Sequence, residues 1–265
     1  MKKILLMLLH IIVIGAAAFV VVYSLFFTEV PNYNRVMKSV VVLVGYLYAM
    51  VKVMGKSLGT NYRKYEKDYE DIVGGTFSED KKNYKKLLQA TVYYNQDEYN
   101  KAHRTLDELA KKCMRAKDYS AVYMFKALCY ADENKNEQAI EAYQKVVQYD
   151  MANSRAWSNM GLCYMGIGKM QEAFDSYSNA IKHNPENELA YSNMAYFLIK
   201  VGEPEGALAH ALKALELNAT VYQAMSNAAI AYKMMGDDEN AEKFCKMYGV
   251  NGGNAKELRS VLETM

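Results

Sequence analysis

Histidine and cysteine are the residues of this chain best suited to chemistry, and none stands in a catalytic or metal-binding pattern. The four histidines are scattered, with no HExxH pattern and no serine–histidine–aspartate arrangement. The cysteines form no CxxC pair and have no histidine beside them, which disfavours zinc and redox sites; they are Cys113, Cys129, Cys163 and Cys245. The glycine-rich tract 249–253 lacks the Lys-Ser/Thr of a phosphate loop. We predict no enzyme, no cofactor and no metal, with the cysteines buried inside helices in a reduced compartment.

Charge divides the chain into two parts. The first 56 residues carry six basic residues and one acid, whereas the remainder carries 26 basic and 29 acidic residues. The larger part is thus mildly acidic, which disfavours a nucleic-acid partner. The whole chain has 23 tyrosines and 17 methionines. These residues provide apolar surface that the larger part can bury, which disfavours disorder.

The basic part contains two apolar runs that predict a transmembrane hairpin at 1–56. Residues 4–27 contain no formal charge and would extend about 36 Å as a helix, enough for a hydrocarbon layer of about 30 Å. Residues 36–54 would extend about 28 Å, with Lys38 and Lys52 able to reach the interface. The alternative for the first run is a signal peptide cleaved near Ala18. In both cases the charges flanking the spans place the C-terminal part in the cytosol, at a cell membrane that the chain crosses.

A connector is predicted at 57–79, with a short helix ending at Gly74-Gly75. Thr76-x-x-Glu79 has the form of a capping box that would open the next helix.

In the hairpin, Gly45 and Ala49 form a small-residue face that would suit homodimerisation.

Residues 80–265 contain a repeat of 34 residues. Alanine recurs at this spacing at Ala139, Ala173, Ala207 and Ala241. The second copy reads Trp157-x-x-Met160-Gly161-x-x-Tyr164, then Ala173-x-x-x-Tyr177 and Pro185. Asn134, Gly168, Gly202 and Gly236 also share a position, which predicts a left-handed turn between two helices.

This pattern resembles the tetratricopeptide repeat, a helix–turn–helix unit, and the whole chain resembles bacterial membrane-anchored proteins that carry such repeats. The resemblance implies an all-α solenoid after the hairpin. Its clear units would be Ser120–Asn153, Ser154–Asn187, Glu188–Val221 and Tyr222–Ala255. A degenerate unit with a three-residue insertion near 111–119 would precede them, and 256–263 would form a capping helix.

In such a solenoid the first helix of each unit lines a concave groove, which is the predicted site for a protein or peptide partner. The predicted groove residues are Met124, Leu128, Arg155, Ser158, Leu162, Met165, Leu189, Ser192, Tyr196, Ile199, Lys200, Gln223, Ile230 and Lys233. The alternative is that the connector or the C-terminal helix of the protein itself covers this groove.

Asn159, Asn193 and Asn227 recur beside the groove, but the lysines with which such asparagines bind acidic chaperone tails in this family are missing. Each asparagine is therefore expected to bond to neighbouring backbone.

The leading hypothesis is a membrane-anchored scaffold that recruits a partner to the bilayer. The alternative is a self-associating structural component of a membrane assembly for secretion or envelope building.

Overall fold

The computed structural model describes residue 62 and residues 64–265. The predicted spans 4–27 and 36–54, the Gly45 and Ala49 face and the first part of the connector lie outside these residues. Within the part described, no helix has both the length and the apolar character that crossing a bilayer requires. The chain divides into two compact units, Met1–Lys64 and Tyr65–Met265, and the second is the one described below.

The second unit is built from helices, with no strand among its described residues. In chain order the helices are α1 (Glu70–Val73), α2 (Lys81–Tyr94), α3 (Tyr99–Ala110), α4 (Ala116–Asp132), α5 (Asn136–Tyr149), α6 (Ser154–Gly166), α7 (Met170–His183), α8 (Glu188–Val201), α9 (Pro204–Leu217), α10 (Tyr222–Met234), α11 (Asp238–Val250) and α12 (Ala255–Glu263).

The helices from α2 to α11 pack as five successive pairs. Within each pair the first helix contacts the second, and each second helix also contacts the first helix of the next pair. The pairs α4–α5, α6–α7, α8–α9 and α10–α11 match the four predicted units, and α2–α3 is the degenerate one. Contacts are thus made between neighbours along the stack, as expected for a solenoid.

The turns inside the pairs confirm the predicted left-handed positions. The φ angles are +59° at Asn134, +75° at Gly168, +85° at Gly202 and +79° at Gly236. Glycine and asparagine adopt this conformation at the least steric cost, so these residues end the first helix of each unit at a fixed place.

Small residues allow the paired helices to approach closely. The four repeating alanines of the second helices are at most 2% exposed. Gly161 in α6 faces the ring of Tyr177 in α7, and a Cβ added to it would lie 2.7 Å from the ring. Tyr177 is itself fully buried and packs with Ala173, Met194 and Phe197. A larger side chain at Gly161 would therefore overlap a ring that has little room to move.

The segment around α1 packs against the beginning of the solenoid. Val73, Thr76 and Phe77 are buried. The N–H of Phe77 donates to the buried carboxylate of Asp118 over 2.7 Å, and Arg115 donates to the same carboxylate over 2.8 Å.

The three-residue insertion places Arg115 where it holds this segment. Its guanidinium also donates to the carbonyl of Gly75 over 3.2 Å and to Ser78 over 2.9 Å. The inserted loop between α3 and α4 thus fixes the path by which the chain enters the solenoid.

The helix end predicted at Gly74-Gly75 is confirmed, because α1 ends at Val73 and Gly75 has a φ of +70°. The predicted capping box is wrong. Thr76 is buried and its hydroxyl donates back to the carbonyl of Val73, while Asp80 caps α2 by accepting from two backbone N–H groups. An aspartate directly at the cap position satisfies these N–H groups without Glu79.

The C-terminal end is closed by α12, which confirms the predicted capping helix. Leu258 and Leu262 are buried in a core shared with Phe244. On the outside, Arg259 donates to both carboxylate oxygens of Glu242, over 3.1 and 2.8 Å. The helix therefore has one apolar face on the last unit and one polar face outward.

Candidate functional site

The first helix of each unit has two faces, and the cavities around it distinguish them. On one face of α6, Trp157, Met160 and Tyr164 line a cavity together with residues of the second helices α5 and α7. Between α8 and α10, a different cavity is lined by first-helix residues that include Tyr196 and Gln223. This second face, which joins successive first helices, is the one predicted to form the groove.

The predicted groove residues fall into three classes of exposure. The exposed ones are Arg155, Leu162, Leu189, Tyr196, Lys200 and Gln223. The half-buried ones are Leu128, Met165, Ile199, Ile230 and Lys233. The buried ones are Met124, Ser158 and Ser192. The last three expose little surface of their own, although Met124 and Ser192 each line a cavity.

The N-terminal end of the groove is occupied by the α1 segment. Asp71 forms an ion pair with Arg155 over 2.9 Å. Ile72 and Met124 line one cavity of about 420 Å³ that lies between α1 and α4. The ring of Tyr69 meets that of Phe125 edge to face, with centroids 5.2 Å apart. The connector, which the alternative expected to cover the groove, therefore contacts only part of it, at this end.

Beyond the α1 segment, an apolar strip remains open. Leu162 is 41% exposed, Leu189 is 46% exposed and Tyr196 is 39% exposed, and they lie on the consecutive first helices α6 and α8. These helices contact each other. The strip therefore offers apolar side chains from two adjoining units.

The basic groups beside the strip are engaged within the protein. Lys200 lies over the ring of Tyr196, with its Nζ 5.3 Å from the centroid. Lys233 pairs with Asp238 over 2.7 Å. Since Arg155 pairs with Asp71, the positive charge predicted for the groove is largely compensated, and the open surface is mainly apolar.

A cavity of about 220 Å³ continues this surface toward the C-terminal end. Tyr196, Tyr222 and Tyr248 all line it. Neither Tyr222 nor Tyr248 belongs to the predicted groove. Tyr248 could have been found from the sequence by comparing the units, because Ala180 and Ala214 hold its position in the two preceding ones.

The recurrent asparagines differ in their contacts. The amide of Asn227 donates to the backbone carbonyl of Ser192 over 2.8 Å, which confirms the prediction of a backbone bond at that position. Asn193 and Asn227 both line the tyrosine-bearing cavity. The bond of Asn227 links two units, whereas the Asn193 side chain makes no hydrogen bond within the described residues, so the prediction is wrong at Asn193.

The cysteines have the properties of packing residues. Burial raises the pKa of Cys129 to about 12 and that of Cys163 to about 11, so both remain protonated at neutral pH. All four cysteines are buried and unbridged. Within the described residues no three histidine, cysteine, aspartate or glutamate side chains cluster in a way that would hold a metal ion.

Comparison with known protein families identifies the repeat. Residues 154–187 match the tetratricopeptide repeat, and residues 128–168 match a second model described as TPR repeat. No match was found among curated proteins.

Solved structures share this fold. A tetratricopeptide repeat protein from Parabacteroides merdae is 18% identical, with a TM-score of 0.57 over 68% of this chain and 72% of that one. MamA is 20% identical, with a TM-score of 0.53 over 61% of this chain and 93% of that one. YrrB, described as having an unusual peptide-binding site, is 16% identical, with a TM-score of 0.51 over 66% and 89%.

Residues 128–187 thus carry tetratricopeptide repeats, and the described residues form an all-α tetratricopeptide-repeat solenoid. Proteins with this fold generally bind protein partners. The fold therefore suggests a protein-interaction scaffold.

Proposed function

We propose that this protein is a non-catalytic, membrane-anchored scaffold that binds a protein or peptide partner on the open part of its concave surface. The observation that carries the proposal is the strip of Leu162, Leu189 and Tyr196, which is apolar and exposed, whereas α1 contacts the adjoining N-terminal end of the groove. Exposed apolar side chains grouped on one face are characteristic of interaction sites.

The likeness to YrrB supports the proposal only through the fold, which in that protein presents a peptide-binding site. In the present chain the compensated cations favour a partner that contributes apolar side chains. Capture of an acidic chaperone tail is disfavoured, because Met124 and Leu128, or Ser158 and Leu162, stand where the clamp would need lysine followed by asparagine.

The anchoring part of the proposal rests on the sequence of residues 1–56. Two apolar runs of spanning length, with basic residues at their outer ends, favour a hairpin whose solenoid faces the cytosol. Dimerisation through Gly45 and Ala49 would bring two grooves to one site on the membrane. Such a scaffold would raise the local concentration of its partner at the bilayer.

The test is photo-crosslinking in membranes from cells that express the full-length chain, with a photoreactive residue in place of Gln223. We compare the parent with Leu162→Glu/Leu189→Glu. A carboxylate in an apolar contact loses hydration, so partner crosslinking should fall about tenfold or more. The matched control is Leu212→Glu, because Leu212 is 40% exposed but lies on the second helix α9.

A partner of the groove is a protein whose crosslink is lost in the double variant and retained in Leu212→Glu. Unchanged crosslinking in the double variant, with normal helical circular dichroism, would reject the groove as the site. In the same preparation the protein should remain in alkaline-washed membranes. Its release by that wash would reject the anchor.

A further inference from the structure

The C-terminal end of the open surface contains tyrosines that break the pattern of the repeat. Tyr248 stands where Ala180 and Ala214 stand in the two preceding units. Both alanines are fully buried, and Ala214 packs with Ala224 of the next unit. Tyr248 belongs to the last clear unit, so no further repeat needs that space, and its ring reaches the cavity between α8 and α10 instead.

The aromatic wall is fixed by the protein. The rings of Tyr222 and Tyr248 lie with centroids 5.8 Å apart at an interplanar angle of 41°. Behind Tyr248, the backbone of Gly253 approaches so closely that any Cβ there would collide with the ring. The orientation of Tyr248 is therefore held by backbone, while Tyr222 is 41% exposed and free to meet a ligand.

The polar groups of the cavity indicate an uncharged ligand. Its lining contains tyrosine, serine, asparagine, glutamine and isoleucine, and no charged side chain. Asn227 is used in its bond to Ser192. The side chains of Asn193 and Gln223 have no hydrogen-bond partner in the described residues. Both amides can donate to carbonyl groups of a bound chain and accept from its N–H groups.

The volume limits what fits. Sites that hold whole small molecules generally measure about 300–1,000 Å³. At about 220 Å³, this cavity is too small for such a ligand and suits one or two side chains of a longer chain. Because it continues the apolar strip of Leu189 and Tyr196, a peptide lying on the strip would end there.

We propose that the tyrosine cavity, formed by Tyr196, Tyr222 and Tyr248, binds a proline-containing extended segment of the partner. This inference rests on the proposed function of the groove. Proline fits the uncharged aromatic wall with a flat apolar ring, and a polyproline II segment leaves its backbone carbonyls free to accept from Asn193 and Gln223. Its extended conformation is already formed in solution, so binding costs little conformational entropy.

The experiment titrates the full-length protein in detergent micelles with acetylated, amidated hexaproline, monitored by saturation-transfer difference NMR of the proline ring protons. A Gly-Ser hexapeptide and choline are the comparison ligands. We expect saturable transfer from the protein to hexaproline, which neither comparison ligand displaces. Tyr222→Ala should weaken hexaproline binding tenfold or more, and Tyr222→Phe should retain it, because the ring makes the contact.

Tyr149→Ala is the matched control, because Tyr149 is an exposed tyrosine at the end of α5 and should leave the affinity unchanged. The inference would be overturned if hexaproline did not bind, or if the Gly-Ser peptide bound equally well. It would also be overturned if choline displaced hexaproline, or if Tyr222→Ala bound hexaproline as the parent does. If hexaproline does not bind but the Leu162→Glu/Leu189→Glu variant still loses its partner, only the proline inference is rejected. If hexaproline binds but no partner depends on Leu162 and Leu189, the proposed function is rejected.

Discussion

The contact between Gly161 and Tyr177 allows the packing of the repeat to be tested at one methyl group. Replacing glycine by alanine inside a helix normally stabilises it by about 0.8–1.0 kcal/mol. In Gly161→Ala, the new Cβ would lie 2.7–2.9 Å from three carbons of the Tyr177 ring. Overpacking of this kind costs about 1–3 kcal/mol. The second effect is larger, so the net change should be a loss of about 1 kcal/mol.

The ring has few means of escape. Tyr177 is fully buried, its centroid lies 5.9 Å from that of Phe197, and its hydroxyl donates to the sulfur of Met165 over 3.3 Å. Gly206 in α9 is the control, because its added Cβ would meet only the end of the flexible Leu198 side chain, at 3.4 Å. Gly206→Ala should therefore stabilise the protein by about 0.5 kcal/mol.

The assay is thermal unfolding of the full-length protein in mild detergent, followed by circular dichroism at a helical wavelength. For a domain of this size, 1 kcal/mol shifts the Tm by about 2–4 °C. Gly161→Ala should lower the Tm by that amount, and Gly206→Ala should raise it by about 1–2 °C. If both variants raise the Tm equally, the ring of Tyr177 shifts at no energetic cost, and close packing against Gly161 is refuted.

Two further predictions concern the α1 segment, and the same unfolding assay checks both. Burial alone would raise the pKa of Asp118, but hydrogen bonds from Arg115 and from the N–H of Phe77 outweigh it and hold that pKa below its ordinary value. Asp118→Asn should therefore lower the unfolding free energy by about 1.5–3 kcal/mol near neutral pH. The difference in unfolding free energy between variant and parent should narrow as the pH falls below about 4, because the carboxylate of the parent is then protonated. A difference that widens in acid would contradict a lowered pKa at Asp118. Asp71→Asn breaks the exposed ion pair with Arg155 and should change the unfolding free energy by less than about 1 kcal/mol; a loss as large as that of Asp118→Asn would show that the ion pair holds α1.

The spacing of residues predicts those parts of the fold that each unit forms with its neighbour. The glycine turns at Gly168, Gly202 and Gly236 and the buried alanines of the second helices follow from a period of 34, because every unit repeats the same local packing. Contacts of this kind are encoded within about one repeat length. Sequence patterns therefore identify them.

The contacts that the sequence did not predict are those that occur once. Arg115 reaches Gly75 across 40 positions of the chain, and no periodic pattern marks that pair. Thr76 was expected at a helix cap, but its burial turns its hydroxyl toward Val73. At the site, Ser158 and Ser192 have the spacing of groove residues, yet both are buried. Tyr248 was missed because it departs from the pattern that identified the other residues.

The C-terminal end of the solenoid restricts how this protein can change its length. Leu258 and Leu262 of α12 close the core of the last unit there. On the other side of α12, Arg259 is paired with Glu242, so a repeat appended after this helix would meet a polar face instead of a matching apolar one. A unit copied within the stack, such as 154–187, would instead meet a neighbour like its own, and it would lengthen the open strip while leaving this end unchanged.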